Sequence, residues 1–279
     1  MTDPVFKTVL AAWSFIFGAV VASFVNVVAW RVPRGESVVL PASHCPKCGA
    51  FLKWYHNIPV FSWLFLRGRC AFCKKKVSAR YILVELLGGF LFLALFLKYS
   101  FAAPVLWAWV SLLMIGSLVD FDHCLLPDFV TVGGAVWGLA VSVAVFCASI
   151  FWPSVAEAMP FVPSPAMSFL GLAAGAGILW TVGFVGAKIA KREAMGAGDV
   201  LLLGAVGAVS GPVAAVFTLV VSALAGSVAG LAWLAFSKAA RVRWRMIPYG
   251  PYISLGAVLW LFIGEESVAA YLRFMGLEG

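Results

Sequence analysis

The chain has 279 residues, 63% hydrophobic and 11% charged, with a mean hydropathy of +1.01. Water-soluble domains carry roughly 25% charged residues, so this composition excludes a protein standing alone in water. The net charge of +8 is better explained by basic flanks of membrane segments on anionic lipid than by a nucleic-acid surface.

Crossing a bilayer takes about 20 apolar residues, and about eight runs approach that length. They lie near 8–30, 81–98, 101–120, 129–151, 167–187, 199–211, 213–237 and 252–272. The expected fold is therefore an all-α polytopic membrane protein of about eight transmembrane helices. The first run lacks an Ala-x-Ala-like cleavage site ahead of its basic flank, which argues against a signal peptide. Residues 1–30 form the first transmembrane helix. Residues 31–80 are the only long polar segment, and 81–279 form a bundle with short connections. The tract 152–166 has four prolines and no periodicity, so it reads as an external loop.

Basic residues set the orientation. Residues 31–80 hold ten Lys and Arg; Lys188, Lys191 and Arg192, then Lys238, Arg241, Arg243 and Arg245, fall on the same side of an eight-span chain. That side takes 17 of the 20 basic residues. It is expected to be cytoplasmic, with both termini external.

Within 31–80, Cys45-Pro-Lys-Cys48 and Cys70-Ala-Phe-Cys73 are two CxxC pairs. Each pair can clamp one edge of a tetrahedral metal, and together they make a closed four-thiolate site of the structural zinc kind. Redox pairs or disulfides are the rival reading, which a reducing cytoplasm disfavours. His44 and His56 are spare ligand types, and Cys124 and Cys147 read as ordinary small side chains.

Acidic residues number twelve, so Glu85, Asp120, Asp122, Asp128 and Asp199 stand out within apolar segments. A charge at membrane depth costs at least about 2.5–3.5 kcal/mol. Asp120 closes one apolar run and Asp199 opens another, at equivalent depth on the cytoplasmic side. Two facing carboxyls can share a proton, one activating water while the other binds a scissile carbonyl. Gly196 and Gly198, just before Asp199, are expected to adopt positive φ and let a substrate strand approach. Asp122 lies about 200° around the helix from Asp120 and is the second choice. Asp128, after Pro127, suits a helix N-cap, and Glu85 suits a basic partner near the interface.

These residues fall into ordered motifs: Ala22-Ser23-Phe24-Val25-Asn26, Ser43-His44-Cys45-Pro46-Lys47-Cys48, Trp54-Tyr55-His56-Asn57-Ile58-Pro59, Leu66-Arg67-Gly68-Arg69-Cys70 and Ser78-Ala79-Arg80-Tyr81. Asp120-Phe121-Asp122-His123, Met195-Gly196-Ala197-Gly198-Asp199 and Ile247-Pro248-Tyr249-Gly250-Pro251-Tyr252 follow. In these the chain, over roughly residues 18–258, resembles the type IV prepilin peptidases, bifunctional leader peptidase/N-methyltransferases.

The resemblance implies catalysis by Asp120 and Asp199 and a cytoplasmic domain stapled by zinc on Cys45, Cys48, Cys70 and Cys73. It implies cleavage of prepilins or pseudopilins after the glycine that ends a basic leader. N-methylation of the new first residue, usually phenylalanine, from S-adenosylmethionine follows. No glycine-rich nucleotide fingerprint is present, so Trp54, Tyr55 and Gly68 are the methyl-donor candidates by resemblance. Leu201 stands where many relatives carry lysine, and the long Asp120–Asp199 interval is assigned to the 152–166 loop. A transporter is the alternative from another class, since paired intramembrane acids also occur at ion sites.

Overall fold

The computed structural model describes residues 4–191, 195–236 and 248–276. Arg192, Lys238, Arg241, Arg243, Arg245 and Ile247, used above, lie outside them. The described chain is helical, its only β features being isolated bridges His44–Phe51 and Arg69–Lys76. Long helices are what hydrocarbon permits, because every backbone N–H and C=O is then satisfied within the segment.

The helices are α1 (Pro4–Arg31), α2 (Phe61–Phe65), α3 (Arg80–Tyr99), α4 (Ala103–His123), α5 (Asp128–Phe151), α6 (Ser154–Ala158), α7 (Pro165–Ala190), α8 (Ala197–Phe236), α9 (Gly250–Leu259) and α10 (Glu265–Phe274). A five-residue π turn, Trp260–Gly264, joins α9 to α10. Among the described residues, six stretches are long and apolar enough to cross a membrane. Two of them are composite: Arg80–His123 contains α3 and α4, and Ala197–Trp233 contains a break at Gly211. The 152–166 tract is not wholly irregular, since Pro153 precedes the short α6 and Ser164 caps α7 by accepting the Met167 N–H at 3.4 Å. Proline's fixed φ suits a helix start, which composition alone had suggested was loop.

The chain forms two compact units, Met1–Ile115 and Gly116–Gly279. In the first, α3 and α4 form a hairpin. The Phe92 and Trp107 rings stack at 5.0 Å and 5°, and Trp107 Nε1 donates to the Phe92 carbonyl at 3.1 Å. Such a ring pair contributes about 0.5–1.5 kcal/mol beyond its buried area. Helix α1 crosses α3 with almost no side chain between them: a Cβ on Gly18 would sit 2.5 Å from the Gly88 carbonyl oxygen.

In the second unit, small residues bring α5, α7 and α8 to backbone contact. A Cβ on Gly138 would lie 2.7 Å from the Ala208 carbonyl carbon, and Gly171 and Gly207 abut in the same way. Helix α8 is not one straight rod. Gly211 has φ 87° and ψ 174°, with Pro212 next, so the helical bonding cannot run through. A straight helix would separate Asp199 from Ser222 by about 35 Å. Yet Tyr249 bonds the Ser222 hydroxyl at 2.8 Å, and its neighbour Gly250 packs on the same Leu126 side chain as Gly198, the residue before Asp199. The two limbs of α8 therefore double back on each other at Gly211.

Substituting Gly138 by Val should test this packing. Overpacking costs about 1–3 kcal/mol, which corresponds to a fall of roughly 3–10 °C in Tm. An unchanged Tm in detergent would mean that α5 and α8 are not in backbone contact.

Candidate active site

Asp120 lies one turn before the end of α4 and is 5% exposed. Cys124 ends that helix in the left-handed region at φ 51°, its N–H returning to the Asp120 carbonyl at 2.8 Å. The carboxylate accepts the Gly250 N–H on Oδ2 at 2.8 Å. Asp122, two residues on, is exposed. The buried position belongs to Asp120, the first choice from sequence.

Asp199 sits in the first turn of α8, where the helix dipole favours an acid. The Gly196 N–H donates to its carboxylate, and the charge of Asp120 reaches it. The fold thus brings together two carboxyls 79 positions apart in sequence, each steadied by a backbone N–H.

Gly196 and Gly198 act differently from the expectation. Neither has positive φ. A Cβ on Gly198 would lie 2.9 Å from Leu126 Cβ, and one on Gly196 would lie 3.2 Å from Asp199 Oδ2. Gly198 is small because Leu126 packs on it, and Gly196, itself exposed, because a Cβ would crowd the Asp199 carboxylate. Leu126 is the shared obstacle, since a Cβ on Gly250 would also lie 3.0 Å from its Cδ2. Nothing in the spacing of Leu126 marked it. Asp128 is likewise corrected: Pro127 takes the N-cap position and Asp128 is the first helical residue, with no side-chain cap bond at this terminus. Its charge still favours that end of the helix.

In the polar segment, Glu85 accepts the Val60 N–H at 2.8 Å and the Ser23 hydroxyl. The carboxylate thereby ties the segment to both α1 and α3. The four cysteines converge, with Sγ atoms of Cys45, Cys48, Cys70 and Cys73 all within 4.8 Å of one another. The Cys45 and Cys73 sulfurs are 4.0 Å apart. A tetrahedral ion with metal–sulfur bonds of about 2.3 Å spaces its sulfurs by ~3.8 Å, so the cluster fits a metal.

Each CxxC makes the same turn. The residue after its second cysteine, Gly49 or Lys74, is left-handed and returns its N–H to the carbonyl of the first cysteine, at 2.8 and 3.1 Å. Lys47 Nζ joins the halves by donating to the Lys76 carbonyl at 3.1 Å. The Cys70 thiol is lowered to about 7, first by the Cys73 N–H and then by that of Phe72. Cys48, although the Ala50 N–H favours its thiolate, is pushed up to about 11 by desolvation and by the other three sulfurs. Four thiolates this close need a cation between them.

Trp54 and Tyr55 lie on the short turn Trp54–Asn57, their rings edge to face at 5.6 Å, with Trp54 79% exposed. Gly68 instead faces Trp63: its φ is 64° and a Cβ would lie 2.8 Å from Trp63 Cζ2. Its requirement for glycine is explained by that turn. His56 packs on Tyr55 and Phe72, outside the sulfur cluster.

A helical membrane protein with a metal-ready cysteine cluster and a carboxyl pair, Asp120 buried and Asp199 half-buried, is the class these features define. Residues 16–99 match the family model described as the bacterial peptidase A24 N-terminal domain. Residues 107–231 match the type IV leader peptidase family. A prepilin leader peptidase/N-methyltransferase from Myxococcus xanthus is 37% identical, over 82% of this chain and 64% of its own length. One of the same name from Xanthomonas campestris is 34% identical over 94% of both chains. The type 4 prepilin-like proteins leader peptide-processing enzyme of Escherichia coli is 34% identical over 88% of this chain and 91% of its own. No solved structure matches the chain. The chain belongs to the type IV leader peptidase family.

Metal binding is directly measurable. The purified protein loaded with cobalt(II) should show the intense absorption of a tetrahedral tetrathiolate ion, at one equivalent per chain. Replacing Cys45 by Ser should abolish that spectrum, and its persistence would remove Cys45 from the ligand set.

Proposed function

We propose that the protein is a prepilin leader peptidase and N-methyltransferase that crosses the bacterial inner membrane eight times. Residues 31–80 and the catalytic carboxyls face the cytoplasm, and both termini lie outside. The doubling back of α8 supports eight crossings, and the basic residues of 31–80 support the orientation. The observation that carries the catalytic reading is the meeting of Asp120 and Asp199, each held by a backbone N–H, at the ends of apolar helices. Transporter ion sites sit near the membrane midplane, whereas Asp120 is three residues from the last residue of α4 and Asp199 two from the first of α8.

In this mechanism one carboxylate takes a proton from water, whose oxygen adds to the scissile carbonyl carbon. The other, protonated, donates to the carbonyl oxygen. Collapse of the tetrahedral species breaks the C–N bond; the departing amine takes the proton held by the first carboxyl, and the second recovers its proton from the hydroxyl as the new carboxyl forms. No covalent enzyme intermediate forms. Substrates are prepilins or pseudopilins cut after the glycine that ends the leader, so the new amine is that of the first mature residue, usually phenylalanine.

S-adenosylmethionine supplies the methyl group that this amine then accepts. Trp54, with its ring exposed, and Tyr55 offer flat faces for an adenine or a phenylalanine ring; Gly68 holds the neighbouring turn. The natural metal on the four cysteines is zinc, whose tetrahedral preference and lack of redox chemistry suit a structural staple. The polar segment, residues 31–80, serves methylation and the bundle 81–279 serves cleavage.

Asp120→Asn and Asp199→Asn should each lower leader cleavage by roughly a thousandfold or more while leaving insertion and Tm intact. Near-normal processing by either variant, assayed on a purified prepilin, would remove that residue from the mechanism.

Trp54→Ala should give cleaved, unmethylated product in a mass spectrum, and Gly68→Val the same through the Trp63 turn. Wild-type methylation in both would overturn the assignment to this segment. Metal analysis should return one zinc per chain; intact activity with less than about half a zinc would refute a required staple.

A further inference from the structure

The Gly250 N–H on Asp120 is aimed by something outside the carboxyl pair. Gly250 follows Tyr249 at the start of α9, and the Tyr249 hydroxyl lies 2.8 Å from Ser222 Oγ on the returning limb of α8. Either hydroxyl can donate in that bond, and the surroundings favour one direction. Ser222 has one hydroxyl hydrogen, and it points to the Leu219 carbonyl at 3.0 Å. Tyr249 is therefore the donor and Ser222 the acceptor.

The seat for this tyrosine is shaped. Ser222 is fully buried. Gly226, one turn further along α8, leaves a flat face where a Cβ would touch the Tyr249 ring at 3.4 Å and the Tyr252 ring at 3.6 Å. Ser222 also stands at the depth of Asp199. Asp199 is 12 residues before Gly211 and Ser222 is 11 after it, so outward and returning limbs reach the same level at equal rise per residue.

A directed chain thus runs from Leu219 through Ser222 and Tyr249 to Gly250 and on to Asp120. Gly250 itself has no freedom to substitute for a lost anchor. A Cβ there would lie 2.9 Å from Asp120 Oδ2, so the backbone already presses on the carboxylate. The turn can be aimed only through its neighbour.

The geometry points to Tyr249, latched on Ser222, as a positioning residue for leader cleavage that holds the Gly250 amide on Asp120. The assignment rests on the proposed peptidase role of Asp120. Tyr249 does not touch the reacting atoms; its effect passes through one backbone N–H. Losing a hydrogen bond to a charged group typically costs a factor of about ten or more.

The test uses the full-length protein, purified with its metal, on two substrates: an intact prepilin, and the same pilin already cut and bearing a free amine. Tyr249→Phe should lower kcat for cleavage about tenfold with KM little changed, and methylate the cut pilin at the wild-type rate. Ser222→Ala should match it, and the double variant should be no worse than the poorer single one, as for two ends of one bond. Ser222→Thr, which keeps the acceptor, should cleave normally. Hydrogen exchange supplies a readout independent of activity: the peptide carrying Gly250 should exchange faster in Tyr249→Phe. Cleavage by Tyr249→Phe within twofold of wild type, with unchanged exchange, overturns the latch. Equal loss of both activities overturns it too, by making Tyr249 merely structural. An inactive wild type instead defeats the peptidase reading, and exchange at Gly250 still decides the latch.

Discussion

The reversal of α8 at Gly211 is the constraint on which the peptidase unit depends. A carboxyl at the start of a transmembrane helix needs partners at its own depth, and a single span cannot supply them from its far end. One glycine at φ 87° returns the chain to that depth with Ser222 and Gly226 on the returning limb. Pro212 follows at a site where helical bonding is already broken, so its missing N–H is not an extra loss. Gly207 and Gly171, abutting one turn before the reversal, let α7 back directly on the outward limb. Tight packing here sets the height of Asp199.

The Cys-rich segment solves a different problem. It has little apolar core, and large side chains such as Trp54, Phe61 and Phe65 are exposed. Two repeated turns place four sulfurs together, and only a cation lets all four ionise. Glu85 adds a second tether from the membrane side. It meets Val60, whose φ of 64° is costly for a β-branched residue. A buried carboxylate and a backbone N–H in a strained turn each need a partner, and each supplies the other's.

Much of this was legible in the sequence because it rests on periodic or chemically rare signals. Apolar runs gave the helices, including both limbs of α8, since Gly-Pro punctuates the run. Two CxxC pairs pointed to the cysteine cluster, and scarcity of acid singled out Asp120 and Asp199 as candidates. Helical angle said only that Asp120 and Asp122 could not both face one partner; Asp120 is the buried one and Asp122 the exposed one. What escaped were relations between backbone and side chain. Gly196 and Gly198 look like flexible residues in sequence, yet Gly198 is a packing residue whose obstacle, Leu126, comes from elsewhere in the chain, and Gly196 leaves room for the Asp199 carboxylate. Asp128 follows Pro127, and proline took the cap position that the acid seemed to fit. No pattern in sequence says that the N–H of Gly250 will find Asp120. The Pro-Tyr-Gly-Pro cluster opening the last apolar run was the one visible hint.

The choice of donor for Asp120 has a chemical reason. A carboxylate with so little exposure needs a hydrogen bond, and a basic side chain would be the strongest source. A guanidinium beside it would hold that carboxyl ionised and prevent the proton sharing that the proposed mechanism requires. A backbone amide donates one hydrogen bond and carries no net charge. It steadies the oxygen without dictating where the proton resides. The same holds for Asp199 and the Gly196 N–H. Two amides of glycine, which admit no side chain between backbone and carboxyl, are the least intrusive donors a helical bundle can offer. A two-carboxyl centre in an apolar bundle therefore calls for glycines beside its acids, and the one on Asp120 for something to aim it, in the proposal a tyrosine latched on a serine.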